Sequence, residues 1–192
     1  MISSSNSMQK KLITISIMAV LGLGSGFVNA ASTGTITFNG KVTDTTCNVN
    51  VDGQGSNATI VLPTVSTSEL GSAGKTSGRT NFNMNLTDCT VSEHGANTVS
   101  AFFQTGATVD NNTGRLKQTK SDGASNVSLQ LRDGTNGNAI FAGNQNQATR
   151  NAFSEIKTGE NVVLPYSVEY YAENQATAGA VSSSVVYNLQ YK

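Results

Sequence analysis

No tryptophan occurs in this chain, which argues against a carbohydrate platform built on indole stacking. Histidine occurs once, as His94 between Glu93 and Gly95, a setting that reads as solvated loop. No nucleophile motif frames any serine, so a serine–histidine–acid site has nothing to stand on. With one histidine and only two cysteines, Cys47 and Cys89, no cluster has metal-ligand spacing. Glycines are scattered, and no glycine-rich loop opens a helix that could cradle phosphate. Charged residues make up only 12% of the chain, leaving no basic patch for nucleic acid and no acidic tail. These absences exclude catalysis, cofactors and nucleic-acid binding as expected roles.

What is present begins with an export signal. Lys10 and Lys11 supply a positive start, residues 12–23 an apolar run, and Val28-Asn29-Ala30 a small-residue cleavage pattern. Met8 is an alternative start, since residues 3–7 add nothing that a signal needs. The apolar run is too short for a bilayer span and is followed by polar chain. Residues 1–30 are therefore expected to be a signal peptide, and residues 31–192 are enough for one domain with a real core. Lys10 and Lys11 leave with the signal while all 12 acidic residues stay, so the mature chain carries two net negative charges. In an oxidising compartment an even cysteine count predicts a Cys47–Cys89 disulfide. On the loop-entropy model such a bridge stabilises by about 4 kcal/mol.

Nineteen glycines, two prolines and abundant Thr, Ser and Asn fit short strands joined by turns. In residues 34–42, Ile36, Phe38, Gly40 and Val42 alternate with Thr35, Thr37, Asn39 and Lys41. Successive strand side chains point to opposite faces, so one face is apolar and the other polar. A free terminus frays unless something pins it, so this strand must pair with a sheet, its own or another molecule's. The first strand is expected to run on toward Val51, carrying Cys47. Residues 58–62 read as a short strand ending at Pro63, and residues 66–75 as a helical turn capped by Ser66 or Ser68. Phe82, Met84 and Leu86 alternate with asparagines in a half-buried strand that delivers Cys89. Further strands are predicted over 98–105, 115–118, 127–131, 139–141 and 153–156, with polar loop at 143–149. Asp133-Gly134 and Asn136-Gly137 are turn signals. Residues 162–172 form the longest apolar run, where Pro165 predicts an edge, a bulge or a bend. In the last strand, 181–191, Val185, Tyr187, Leu189 and Tyr191 share one face. Ser184, Asn188 and Gln190 share the other, with Val186 the only apolar intruder. Many short strands with turns between them indicate an antiparallel sandwich of immunoglobulin type.

Read together, the two ends resemble a chaperone–usher pilin, closely following the type 1 major fimbrial subunits. The resemblance rests on the leading amphipathic strand, the Cys47–Cys89 pair, Gly179 fourteenth from the end, and Tyr191 next to last after alternating Val185, Tyr187 and Leu189. It covers residues 31–192. It implies an all-β, incomplete immunoglobulin-like β-sandwich over residues 43–192, lacking its seventh strand and completed by a donor strand from another subunit. Residues 31–42 then form the donor-strand extension, with Gly34, Ile36, Phe38, Gly40 and Val42 on the donated face. A glycine at the position of Gly40 marks where the groove is shallow. Gly179, Val185, Tyr187, Leu189, Tyr191 and Lys192 would form the groove edge and the strand a chaperone binds. The implied partners are identical or related fimbrial subunits, a periplasmic chaperone and an outer-membrane usher, and the implied location is a fimbrium on the cell surface that supports adhesion. Such donation is a recognised form of β-strand addition. A minor adaptor or terminator subunit is one alternative. A self-contained secreted immunoglobulin-like binding module is another, and it would fold residues 34–42 into its own sheet.

Overall fold

The structure, a computed structural model, describes residues 34–192 except residue 94. The signal sequence and His94 lie outside the described residues. The chain divides into two units, Met1–Gly40 and Lys41–Lys192. In the first, residues 34–40 form no strand and are exposed.

The second unit is built from two antiparallel sheets. In the larger, β1 (Thr46–Val51), β2 (Thr76–Thr90), β8 (Val162–Ala172), β5 (Val127–Asp133) and β4 (Leu116–Lys117) lie in that order, and β6 (Ala139–Ile140) also pairs with β5. The smaller has the order β7 (Ser154–Glu155), β3 (Thr98–Phe103) and β9 (Tyr187–Tyr191). A single helical turn, α1 (Gln147–Arg150), precedes β7. Alternation explains β2: Phe82, Met84 and Leu86 point inward and are buried, while Asn81 and Asn83 on the other face are exposed. They meet Val99, Ala101 and Phe103 of β3 and Leu131, Leu164 and Val168 of the larger sheet in one core. Tyr166 bolts the sheets together. Its ring packs edge-on against Phe103 with centroids 5.2 Å apart, and its hydroxyl accepts a 2.9 Å hydrogen bond from Ala101 N. Burial pushes the Tyr166 hydroxyl pKa up, so it stays protonated.

Cys47 and Cys89 are joined, with Cα atoms 4.1 Å apart. The bridge lies at the irregularity in the β1–β2 register between Thr46 and Asn48, and ties the first strand to the end of the second. Mass spectrometry of non-reduced mature protein is expected to show both thiols consumed in one intramolecular bond; two free thiols would refute the pairing.

Several expectations require correction. Pro165 lies at no edge, because β8 runs between β2 and β5. Its carbonyl accepts from Gly134 N at 2.9 Å, so its nitrogen also faces the β5 side, one residue past the end of β5 at Asp133. The missing N–H therefore costs no ladder bond to β2. The turn there needs Gly134: a Cβ would stand 2.8 Å from the Pro165 carbonyl carbon. Residues 58–62 form no strand, nor do 34–45 or 181–186, so the first and last strands are shorter than their apolar patterns. The 66–75 segment is a hydrogen-bonded turn with Ser66 Oγ accepting from Ser68 N, not a helix. The 143–149 loop instead leads into α1.

Candidate functional site

The two sides of the smaller sheet are finished differently. Beyond β7, the far side of β3 is capped by side chains. Gln147 Oε1 accepts from Phe103 N and Gln147 Nε2 donates to Phe103 O, both at 2.9 Å. Asn151 Nδ2 donates to Ala101 O at 3.1 Å, and the Ala101 N–H is taken by Tyr166. This is why polar Gln147 is buried: one helical turn aims it at an edge that would otherwise be bare.

The outer side of β9 has no such cover. Thr98 and Lys192 exchange both backbone bonds at 3.0 Å, and Gln104 N donates to Val186 O at 2.7 Å. Alternation along an antiparallel ladder then turns the N–H and C=O groups of Val185, Tyr187, Leu189 and Tyr191 away from β3. Among the described residues no backbone partner meets them. A bare edge of this kind is a template for another strand.

Beside that edge lies an apolar groove of about 660 Å³ that reaches the core. The larger sheet contributes Phe82, Met84, Leu129, Leu131, Val168 and Tyr170 to its wall, and the smaller contributes Phe103 and Tyr187. Ile60 and Leu62 enclose it from the loop after β1, and Val181 and Val185 from the run into β9. Tyr187 O–H donates to Ser56 O at 2.7 Å, fastening that loop beside the edge. Burial pushes the Tyr187 pKa up, which keeps the donor proton in place. The Tyr191 pKa is raised by burial too, against opposing hydrogen bonds from the Cys47 backbone and the Thr46 side chain.

Of the residues singled out from sequence, Val185 and Tyr187 line the groove, while Leu189 and Tyr191 continue the same strand and pack against the core. Lys192 O accepts from Asn97 N at 2.8 Å and Thr98 N at 3.0 Å, which anchors the strand end. Gly179 lies in a second hollow of about 260 Å³ that shares Tyr170 and Val181 with the groove. There two backbones nearly touch, for a Cβ on Gly179 would sit 2.4 Å from Ala124 N. In the leading segment, Ile36, Phe38 and Val42 are 77%, 88% and 99% exposed. Gly34 and Gly40 have open space where a Cβ would be. The loop wall of Ile60 and Leu62 was not foreseen as part of the site; its signal was the apolar run before Pro63, read as a strand. Among the described residues no group of acidic, histidine or cysteine side chains could hold a metal ion.

The type-1 fimbrial protein A family matches residues 62–192 of this chain. The F17 fimbrial protein of Escherichia coli is 41% identical over 177 residues, covering 92% of this chain and 97% of that protein. The major fimbrial subunit SMF-1 of Stenotrophomonas maltophilia is 44% identical over 165 residues, covering 84% and 94%. Among solved structures, the P pilus rod subunit PapA shares the fold with a TM-score of 0.58 at 21% identity, covering 76% of this chain and 99% of that one.

Proposed function

The chain belongs to the type-1 fimbrial protein A family, a family of structural fimbrial subunits, and from that premise we propose that it polymerises by donor-strand exchange. The observation that carries this reading is the bare outer edge of β9 beside an apolar groove, in a chain whose leading amphipathic segment exposes its apolar residues. Residues 34–42 of one subunit add a strand to that edge in the next. Their backbone groups pair with those of Val185, Tyr187, Leu189 and Tyr191. Ile36, Phe38 and Val42 enter the groove, and Gly40 lets the two backbones approach where it is shallow. Three anchors at roughly 1.5–3 kcal/mol each contribute about 4–9 kcal/mol. Backbone hydrogen bonds add about 1 kcal/mol apiece, while ordering the extension opposes both.

Before assembly an exposed groove beside a bare edge invites aggregation. A periplasmic chaperone strand therefore caps it, with basic chaperone residues holding the carboxylate of Lys192, until an outer-membrane usher exchanges that strand for the next subunit's extension. Relatives named as major fimbrial subunits support the main structural subunit over an adaptor or terminator. The exposed, unpaired extension is a poor match to a self-contained module.

Size-exclusion chromatography of three chains tests the proposal. Residues 31–192 should assemble into polymers, and residues 43–192 should accept an extension without polymerising. A chain with a second copy of residues 34–42 after Lys192 should fill its own groove and run as a monomer. Residues 43–192 running alone as a stable soluble monomer would overturn the reading.

A further inference from the structure

Asn39-Gly40 and Asn136-Gly137 are the only two Asn-Gly pairs in the chain, and their settings are opposite. Asn136 is exposed too, but both ends of its side-chain amide are held. Its Oδ1 accepts from Asn138 N at 2.9 Å and its Nδ2 donates to Arg150 O at 3.0 Å. The N–H of the following residue, Gly137, is committed to Asp133 O at 2.9 Å. Asn39 is exposed, belongs to no strand, and among the described residues neither it nor Gly40 takes part in a hydrogen bond. The space around the Gly40 Cα is open as well.

That contrast has a chemical consequence. A backbone nitrogen can attack the side-chain amide of the preceding asparagine when it is free to turn toward it. A following glycine offers no Cβ to hinder the approach and restricts φ and ψ least. A nitrogen locked in a hydrogen-bonded turn must first be released by local opening.

We infer that Asn39 is a site of spontaneous covalent modification in the unassembled subunit. The Gly40 nitrogen gives up its proton and bonds to Asn39 Cγ, and the Cγ–Nδ2 bond breaks with release of ammonia. Water then opens the resulting five-membered imide at either carbonyl. One opening leaves aspartate. The other leaves isoaspartate, in which the main chain runs through the former side-chain carbon. Overall one amide and one water become one carboxylate and one ammonium, with no oxidant or reductant.

The effect on assembly rests on the donor-strand reading. Asn39 lies on the face opposite Phe38, so aspartate there is tolerated. Isoaspartate inserts a methylene into the backbone between Asn39 and Gly40. It breaks the two-residue alternation, so Val42 falls out of step with Ile36 and Phe38. Losing one anchor corresponds to about tenfold or more in strand exchange, so isoaspartyl chains are depleted from polymers by that factor. Unassembled subunits thereby acquire an age limit as donors while their grooves are untouched.

The test compares mature chain from periplasmic extract with the same chain sheared from the cell surface as fimbriae. Both are incubated at neutral pH and sampled over time by peptide mass spectrometry, with isoaspartate scored by enzymatic methylation. Conversion is expected at Asn39 and not at Asn136 in the periplasmic pool, with Asn39 protected in fimbriae and Gly40→Ala slowing the reaction. Conversion at Asn39 in both pools alike would uphold the modification site and count against the donor-strand reading. An intact Asn39 amide in the periplasmic pool, or Asn136 converting as fast, would overturn the inference.

Discussion

A subunit carrying Phe38→Asp is expected to accept a neighbour's strand and never to donate its own. Phe38 is 88% exposed, so the substitution removes nothing that the described chain buries. In a donated strand the same position enters the groove, where a carboxylate would be buried without a partner at a cost of several kcal/mol. The groove itself is built from other residues and is left intact. Mixed with wild-type subunits, this variant should join one end of each chain and stop growth there. Tyr187→Asp should do the opposite. It removes a groove wall and the hydrogen bond to Ser56, and sets a carboxylate where Tyr187 pairs with buried Phe103. That subunit can donate but not accept. Length distributions of mixed assemblies, scored for which end is blocked, measure both effects. A self-contained module would show no such polarity. If Phe38→Asp lowered the melting temperature of a monomer as much as Tyr187→Asp, residues 34–42 would belong to their own fold.

Strands with one buried face were legible because alternation records burial: Phe82, Met84 and Leu86 are the clearest case, and they lie where their spacing places them. Alternation does not record whether a partner strand is present. Residues 34–42, 58–62 and 181–186 all carry strand-like apolar patterns, yet none is a strand in the described chain. The last two instead present Ile60, Leu62, Val181 and Val185 to the groove. Their patterns mark surface that faces an interior with one strand too few. Pro165 misled for a local reason, since the harm done by a proline depends on which neighbour its nitrogen faces. Gln147 was illegible because the unpaired carbonyl and amide it satisfies belong to Phe103, far away in sequence. Along β5, Val127, Leu129 and Leu131 alternate with Ser128, Gln130 and Arg132, a pattern with one apolar face. Ser128 and Gln130 are nevertheless buried, beside a charged layer: Ser128 Oγ donates to Glu173 at 2.7 Å, and Gln130 pairs in register with Glu169.

That layer is the setting for the largest stability effect expected within one subunit. Glu169 of β8 is 2% exposed, and its two oxygens are gripped from the flanking strands by Arg79 Nε at 2.8 Å and Arg132 Nε at 2.5 Å. The arginine side chains are 51% and 27% exposed, so the three charges are unequal. Replacing Glu169 with Leu frees two guanidinium groups that can turn to water, and the loss should be modest. Replacing both arginines with methionine strands a buried carboxylate, and the expected loss is about 3–5 kcal/mol. Adding Glu169→Leu to that pair removes the stranded charge and should recover most of it, because a well-packed apolar trio is no worse than a buried ion cluster. Urea denaturation of the monomer that carries its own second strand copy after Lys192 would read all three variants against the parent. The decisive quantity is the recovery. If the double arginine variant lost less than about 1 kcal/mol, as an exposed ion pair would, or if Glu169→Leu failed to restore it, Glu169 would not be acting as a buried charge.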